Sequence, residues 1–383
     1  MNNGLRMWQY TFSACLISVI PAMGQDGTIS SRTKHNLEQQ LSQRISQIRL
    51  EKKLIGLGAM ILVDGKSVAK AVEGERKKGS GKRLETSDRW HVGSITKSMT
   101  ATTIARLVEQ RVVDWGTTIG EIFGETIEIH RDWRAVNLEQ LLTHTSGAPA
   151  NFSIVTNFRA PPEGKERVQA RRNAVSGVLK LRPIGNPGES FAYSNVGFTI
   201  AAAMIEHKTE RSWEDLVRDE VFSPLSMAGV GFGPPKDGDQ TLSQPRGHAN
   251  LGLMKVAVGE DADNSPIMGP AGSVNMTLDE LCRFGYEHLL GETGQGKLLQ
   301  AATYKRLHTA KLNEYAFGWV VPKKNPWIDQ RIIWHNGSNT MWYALLVLLP
   351  ERNTVISITS NDGNIKRAEE AAFQIVSEFA NLL

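Results

Sequence analysis

Strand-like sequence sits at the two ends of this chain and is nearly missing from its middle, and that distribution limits the fold more than any other feature. "IGLGAMILVDGKSVAKAVEGE" (55–75) reads as two strands joined at Asp64-Gly65, a dipeptide suited to a tight hairpin turn. Comparable β-branched and aromatic runs return only near the other end, in "AFGWVVP", "QRIIWHNG", "MWYALLVLLP" and "TVISITSN", with turn signals from Pro350 to Asn353 between the last two. From Ser94 to about residue 290 the periodicity is mostly helical. The simplest architecture is α+β: an antiparallel sheet built from both chain ends, covered by terminal helices, with an all-helical domain inserted between its halves. The expected division is 25–93 plus 310–383 for the sheet domain and 94–309 for the mainly helical one. A cleft where the two meet is a favoured place for a site.

Leu37, Leu41, Ile45 and Ile48 recur at helical spacing, so 31–53 is expected to be an amphipathic helix, and 366–381 another. Helices are also expected at 95–110, 138–144, 167–181, 196–208, 213–221 and 278–290, the last opened by a Thr277–Glu280 capping box. The segment 229–275 is rich in Gly, Pro, Asp and Asn and reads as a long, functional or disordered loop.

The 383 residues carry a formal net charge of +4 with both signs interspersed, which argues against a nucleic-acid partner. The basic stretch "ERKKGSGKRLE" lacks the glycine spacing and following Ser/Thr of a phosphate-binding loop and reads as a solvated turn. Arg6 is the only charge before Gln25, and an apolar stretch, Met7 to Ile20, leads to small residues Ala22 and Gly24. That stretch is short against the ~20 residues of a membrane span. It reads as a cleavable export signal over 1–24, implying a periplasmic or extracellular protein with no stable membrane insertion after cleavage. Cys15 leaves with it, so Cys282 remains without a disulfide partner, in a helical pattern that suggests core packing. The nine histidines show no H-E-x-x-H or comparable metal spacing.

S-x-x-K occurs three times, at Ser31–Lys34, Ser67–Lys70 and Ser94–Lys97, and is weak by itself. Only the third opens an apolar helix, where residues three apart share a face. A serine hydroxyl becomes a nucleophile when a base takes its proton, and lysine serves as that base only with a lowered pKa. A helix start also favours developing negative charge. The bland alternative is a capping serine and a surface lysine. Two further motifs bear on the choice: Tyr193-Ser194-Asn195 ahead of a helix, and His335-Asn336-Gly337 at the end of a strand. Each has its own bland account, with Tyr193 as packing, Asn195 as a helix cap and His335 as a strand-end histidine.

Together the motifs resemble the serine β-lactamase-like hydrolases, in the branch holding class C β-lactamases, D-stereospecific peptidases and esterases. The resemblance spans about 35–380 through "HVGSITKSMTA", "LEQLLTHTSG", "PGESFAYSNVGF", "FSPLSMAGVGF" and "WHNGSNTMWYA". It implies Ser94 as the acylated nucleophile, Lys97 and Tyr193 sharing acid–base duty, and Asn195 holding the lysine and a substrate amide. It implies an oxyanion hole from the backbone N–H groups of Ser94 and Ser338, each such donor worth on the order of 3 kcal/mol. Gly337 would let substrate lie along the strand, His144 is framework, and the resemblance implies no metal or organic cofactor. Class C enzymes carry Lys-Thr-Gly or Lys-Ser-Gly where this chain has His335-Asn336-Gly337. Carboxylate recognition should be weaker by ~1–3 kcal/mol per lost contact. The expected substrate is therefore a small ester, amide or D-amino-acid peptide, with little β-lactam turnover. The alternative class is a covalent β-lactam sensor or a non-catalytic scaffold of the same fold.

Overall fold

The computed structural model describes residues 31–153, 161–252, 254–325 and 328–382. The expected export signal and Cys15 lie outside them.

The ten strands among the described residues are numbered in chain order. β1 (Gly56–Val63) and β2 (Lys66–Gly74) form the expected hairpin. Asp64 and Gly65 at its tip have φ of 50° and 74°, the left-handed pair of a two-residue turn. β8 (Ile333–Ser338), β9 (Tyr343–Leu349) and β10 (Thr354–Ser360) come from the far end of the chain. The sheet order is β2-β1-β10-β9-β8, every pair antiparallel, and β1 meets β10 in register from Gly58–Thr359 to Val63–Thr354. The two chain ends thus close one sheet at its centre. A small second sheet joins β3 (Trp90–His91), β7 (Val274–Met276) and β4 (Gly231–Phe232), and β5 (His248–Leu251) pairs with β6 (Met254–Ala257).

One face of the large sheet is covered by the terminal helices Ser31–Glu51 and Ile365–Ala380, whose Leu37, Leu41, Ile45, Ile375 and Phe379 pack on Ala59, Ile61, Ile356 and Ile358. The opposite face, with Met60, Leu346, Leu348 and Val355, joins the core of the helical region. Because both faces are covered, β9 reads as an unbroken apolar run and is buried throughout.

The Thr277–Glu280 capping box forms as expected and starts the helix Leu278–Glu292. This helix lies on the sheet although it falls in the stretch assigned to the helical insert. A Cβ on Gly285 would stand 2.8 Å from Val355 and 2.9 Å from Leu348, so the glycine lets the two layers approach. Cys282, on the same helix, is buried with its Sγ 3.1 Å from Ser357 Oγ, and burial pushes its thiol up to about 12.

Two stretches differ from expectation. "AFGWVVP" forms only isolated bridges, Tyr315–Val320 and Val320–Trp334. Gly318, at φ 79°, turns the chain against the Ser98 backbone instead of extending it. The 229–275 stretch, read as a loop, contains β4 to β6, a turn of 3-10 helix at Pro266–Met268 and the short helix Gly269–Gly272. Among the described residues no helix is long and apolar enough to cross a membrane.

Candidate active site

Ser94 sits in a 3-10 turn, Gly93–Ile95, that runs into the helix Thr96–Glu109. β3 delivers the chain to this turn, and β7 holds it. Val92 N–H donates to Val274 O at 2.9 Å, and Thr96 Oγ1 accepts from Val274 N–H at 3.1 Å. Two glycines then let β8 press against the turn. Gly93 has φ 51°, and a Cβ there would lie 2.3 Å from Ser338 N. A Cβ on Gly337 would lie 2.0 Å from Val92 O and 2.6 Å from Ser94 N. No side chain fits at either place, and the closeness brings the Ser94 and Ser338 backbones to one small pocket that both line.

Lys97, one turn along the helix, is fully buried. Its Nζ has three neighbours: Ser94 Oγ at 3.0 Å, Asn195 Oδ1 at 2.7 Å and Ala271 O at 2.7 Å. None is a carboxylate. Burial alone lowers its pKa well below the ordinary lysine value. The Tyr193 ring centroid, 4.8 Å from Nζ, attracts an ammonium by ~0.5–2 kcal/mol, less than the several kcal/mol lost with hydration. Burial therefore favours the neutral amine more than it would for an exposed lysine. In the neutral form Asn195 Oδ1 and Ala271 O, which can only accept, would take the two N–H groups and leave the lone pair for the Ser94 hydroxyl.

Tyr193, just ahead of the helix Asn195–Thr209, meets the Ser94 side chain. Its side chain is 36% exposed overall, yet the hydroxyl end is desolvated beside Ser94. Burial raises the phenol well above its ordinary range, and the hydrogen bond with Ser94 only partly opposes this. Ser194, not Asn195, caps the helix: its Oγ accepts from Gly197 N–H at 2.9 Å. Asn195 is thereby free to accept from Lys97, and its Nδ2 donates to Asn151 Oδ1 at 2.7 Å.

Ser94, Lys97, Tyr193, Asn195, Gly337 and Ser338 are thus brought together. His335 and Asn336, read as substrate-binding, have their side chains engaged by other partners. Asn336 shares its strand face with Trp334 and donates to Glu369 Oε1 of the C-terminal helix at 3.0 Å. His335 points the other way but is buried, with Nε2 3.1 Å from Tyr315 Oη and Nδ1 against the Asn336 carbonyl. Burial first, and Lys97 second, push its pKa down to about 3. His144, at φ 60°, packs tilted against both Tyr193 and Tyr315 with centroids at 4.2 and 4.6 Å, and its Nδ1 accepts from Ser194 N–H at 3.1 Å. Burial, then Lys97 and His335, keep it neutral. Trp342 is fully buried and Trp334 nearly so; Trp334 packs edge-on against Phe373 and Trp342 against Trp90, so both belong to the core.

Sequence reasoning missed Ala271, Asn151 and Tyr315. Ala271 acts through a backbone carbonyl, which no side-chain motif announces. Its segment is held by Thr100 Oγ1, which donates to Pro270 O at 2.7 Å.

A buried amine with a lowered pKa, a serine hydroxyl and a raised-pKa phenol in contact are the equipment of a serine hydrolase, and the protein is an enzyme of that class. The chain belongs to the beta-lactamase family, whose description it matches over residues 35–378. Penicillin-binding protein 4 of Amycolatopsis lactamdurans is 23% identical over 344 residues, covering 84% of each chain. The D-alanyl-D-alanine-carboxypeptidase/endopeptidase AmpH of Escherichia coli (strain K12) is 22% identical over 314 residues, covering 77% of this chain and 76% of that protein. The crystal structure of a D-stereospecific amidohydrolase from Streptomyces sp. superposes with a TM-score of 0.68 at 19% identity, over 87% of this chain and 98% of that one. At that identity the likeness is one of fold.

Proposed function

We propose that this enzyme cleaves a small ester or amide through an acyl-Ser94 intermediate. The observation that carries the proposal is Lys97: fully buried, without a carboxylate partner among the described residues, and 3.0 Å from Ser94 Oγ. Environments that push two titratable groups apart assign their roles. Lys97, lowered, is the base that takes the Ser94 proton; Tyr193, raised, stays a phenol and hands its proton to the leaving group. The Ser94 and Ser338 N–H groups would receive the oxyanion. Water then gives a proton to the Tyr193 phenolate and attacks the acyl carbon, the Ser94 ester bond breaks as Ser94 Oγ takes its proton back from Lys97, and the product acid leaves.

The pocket is lined by Ser94, Asn195, Asn264, Ser265, Met268, Ala271, Gly272, Ser273 and Ser338, none of them charged. His335 supplies no cation. A neutral ester, amide or D-amino-acid peptide suits such walls better than a substrate held by its carboxylate, and the D-specific relatives favour the same class. Weak turnover of β-lactams is expected. The 1–24 sequence supports export, with the substrate met outside the cytoplasm. The test is pre-steady-state hydrolysis of a short p-nitrophenyl ester by the protein beside Ser94→Ala. A burst of one product per site, lost in the variant, is expected. Equal release by both proteins would overturn the proposal.

A further inference from the structure

Asp263 lies in the "DADNSP" loop, outside every motif considered so far, and its side chain is only 8% exposed. Its two oxygens take partners from two different segments. Oδ2 is 2.9 Å from His91 Nε2, and Oδ1 accepts from Asn339 Nδ2 at 2.7 Å and from Asn264 N–H at 2.8 Å. His91 is fully buried, and its Nδ1 accepts from Gly93 N–H at 3.2 Å. A ring nitrogen that accepts carries no proton, so the proton is on Nε2 and is donated to Asp263. Asn339 Oδ1 accepts from Met341 N–H at 3.2 Å, which leaves its Nδ2 for the carboxylate. Every donor and acceptor in the chain Gly93–His91–Asp263–Asn339 is therefore matched in one direction only.

Gly93 is bonded directly to Ser94, and Asn339 directly to Ser338. We propose that Asp263 is a positioning residue: one buried carboxylate clamps the two backbone segments whose N–H groups form the oxyanion hole, and so sets the spacing between them. The clamp rests on the acyl-Ser94 mechanism proposed above. It accounts for a buried acid whose described partners are hydrogen-bond donors rather than a lysine or arginine. It also accounts for the loop's place at the site, because Asn264 and Ser265, the next two residues, are pocket walls. Backbone amides that receive charge must be held before the charge develops, and a misplacement of about an ångström costs rate rather than ground-state binding.

The test is Asp263→Asn, nearly the same shape. Both His91 Nε2–H and Asn339 Nδ2–H donate to the carboxylate, so an amide must turn its own NH2 toward one of them and lose that contact. Steady-state kinetics on the p-nitrophenyl ester should show kcat falling about tenfold, below the ~10²–10³ of a deleted hole donor, with KM within about twofold. Affinity for a boronic acid, which adds to Ser94 Oγ and becomes a tetrahedral anion, should fall in step with kcat. Asn339→Ala, which cuts one arm only, should show the same pattern, and the double variant should be scarcely worse than Asp263→Asn. It also carries the test if Asp263→Asn proves unstable. Unchanged kcat and boronic-acid affinity in either folded variant, or a change confined to KM, would overturn the clamp while a Ser94-dependent burst still stood. Absence of that burst in the wild-type protein would overturn the mechanism and the clamp together.

Discussion

Replacing Asn195 by aspartate changes one atom group and no shape, yet it should disable the proposed base. The Asn195 oxygen is 2.7 Å from Lys97 Nζ. A carboxylate there would attract the ammonium by about 6 kcal/mol at an effective dielectric constant near 20. Asn195 is partly exposed, and solvent screening reduces this figure. At about 1.4 kcal/mol per pH unit, the acidic limb of kcat/KM should move upward by roughly two to four pH units. The sign follows from the charged form being stabilised: the variant keeps its proton on Lys97 at pH values where the wild type has lost it. Ester hydrolysis at neutral pH should drop by roughly 10²-fold or more and recover as pH rises. The assay is kcat/KM for a p-nitrophenyl ester across pH, corrected for spontaneous hydrolysis. An Asn195→Asp profile that overlays the wild type would refute a neutral Lys97 as the base.

Other consequences are more local. His335 is pushed down to about 3, so it is neutral through the working range, and His335→Gln, which still accepts from Tyr315, should leave both limbs of the pH profile in place; a limb lost in the variant would contradict this. Asn151→Ala removes the acceptor that orients the Asn195 amide and should lower kcat by about two- to tenfold, the worth of one hydrogen bond, with equal kcat as the contrary result. Gly337→Ala places a Cβ 2.0 Å from Val92 O, so urea titration should show a loss of about 1–3 kcal/mol together with lost activity; an active variant of wild-type stability would mean that β8 does not press on the Ser94 turn as described.

The parts of the fold that were legible from sequence are those governed by local chemistry. Asp64-Gly65 announces its turn because few dipeptides adopt left-handed conformations twice in succession, and Thr277 with Glu280 announces a helix start because the pair satisfies its free amides. Ser94 and Lys97 were legible for the same reason, being one turn apart on one helix. What failed to show was tertiary. The helix Leu278–Glu292 has an amphipathic pattern that fits a bundle as well as a sheet, and only the contact at Gly285 decides. Ala271 contributes a carbonyl, and Asn151 stands far from its partner in sequence. The placement of His335 and Asn336 was partly available. Strand alternation puts Asn336 on the face of Trp334, toward the C-terminal helix, and separates it from His335. Burial of His335 under Tyr315 required the fold.

The most direct measurement is the mass of the protein quenched in acid during turnover of a slow ester, followed by fragmentation of the peptide that holds "SITK". An increase equal to one acyl group, located on Ser94 and absent from Ser94→Ala, is the predicted result. Turnover with no adduct, or an adduct on another residue, would contradict the central claim that Ser94 is the nucleophile and Lys97 its base.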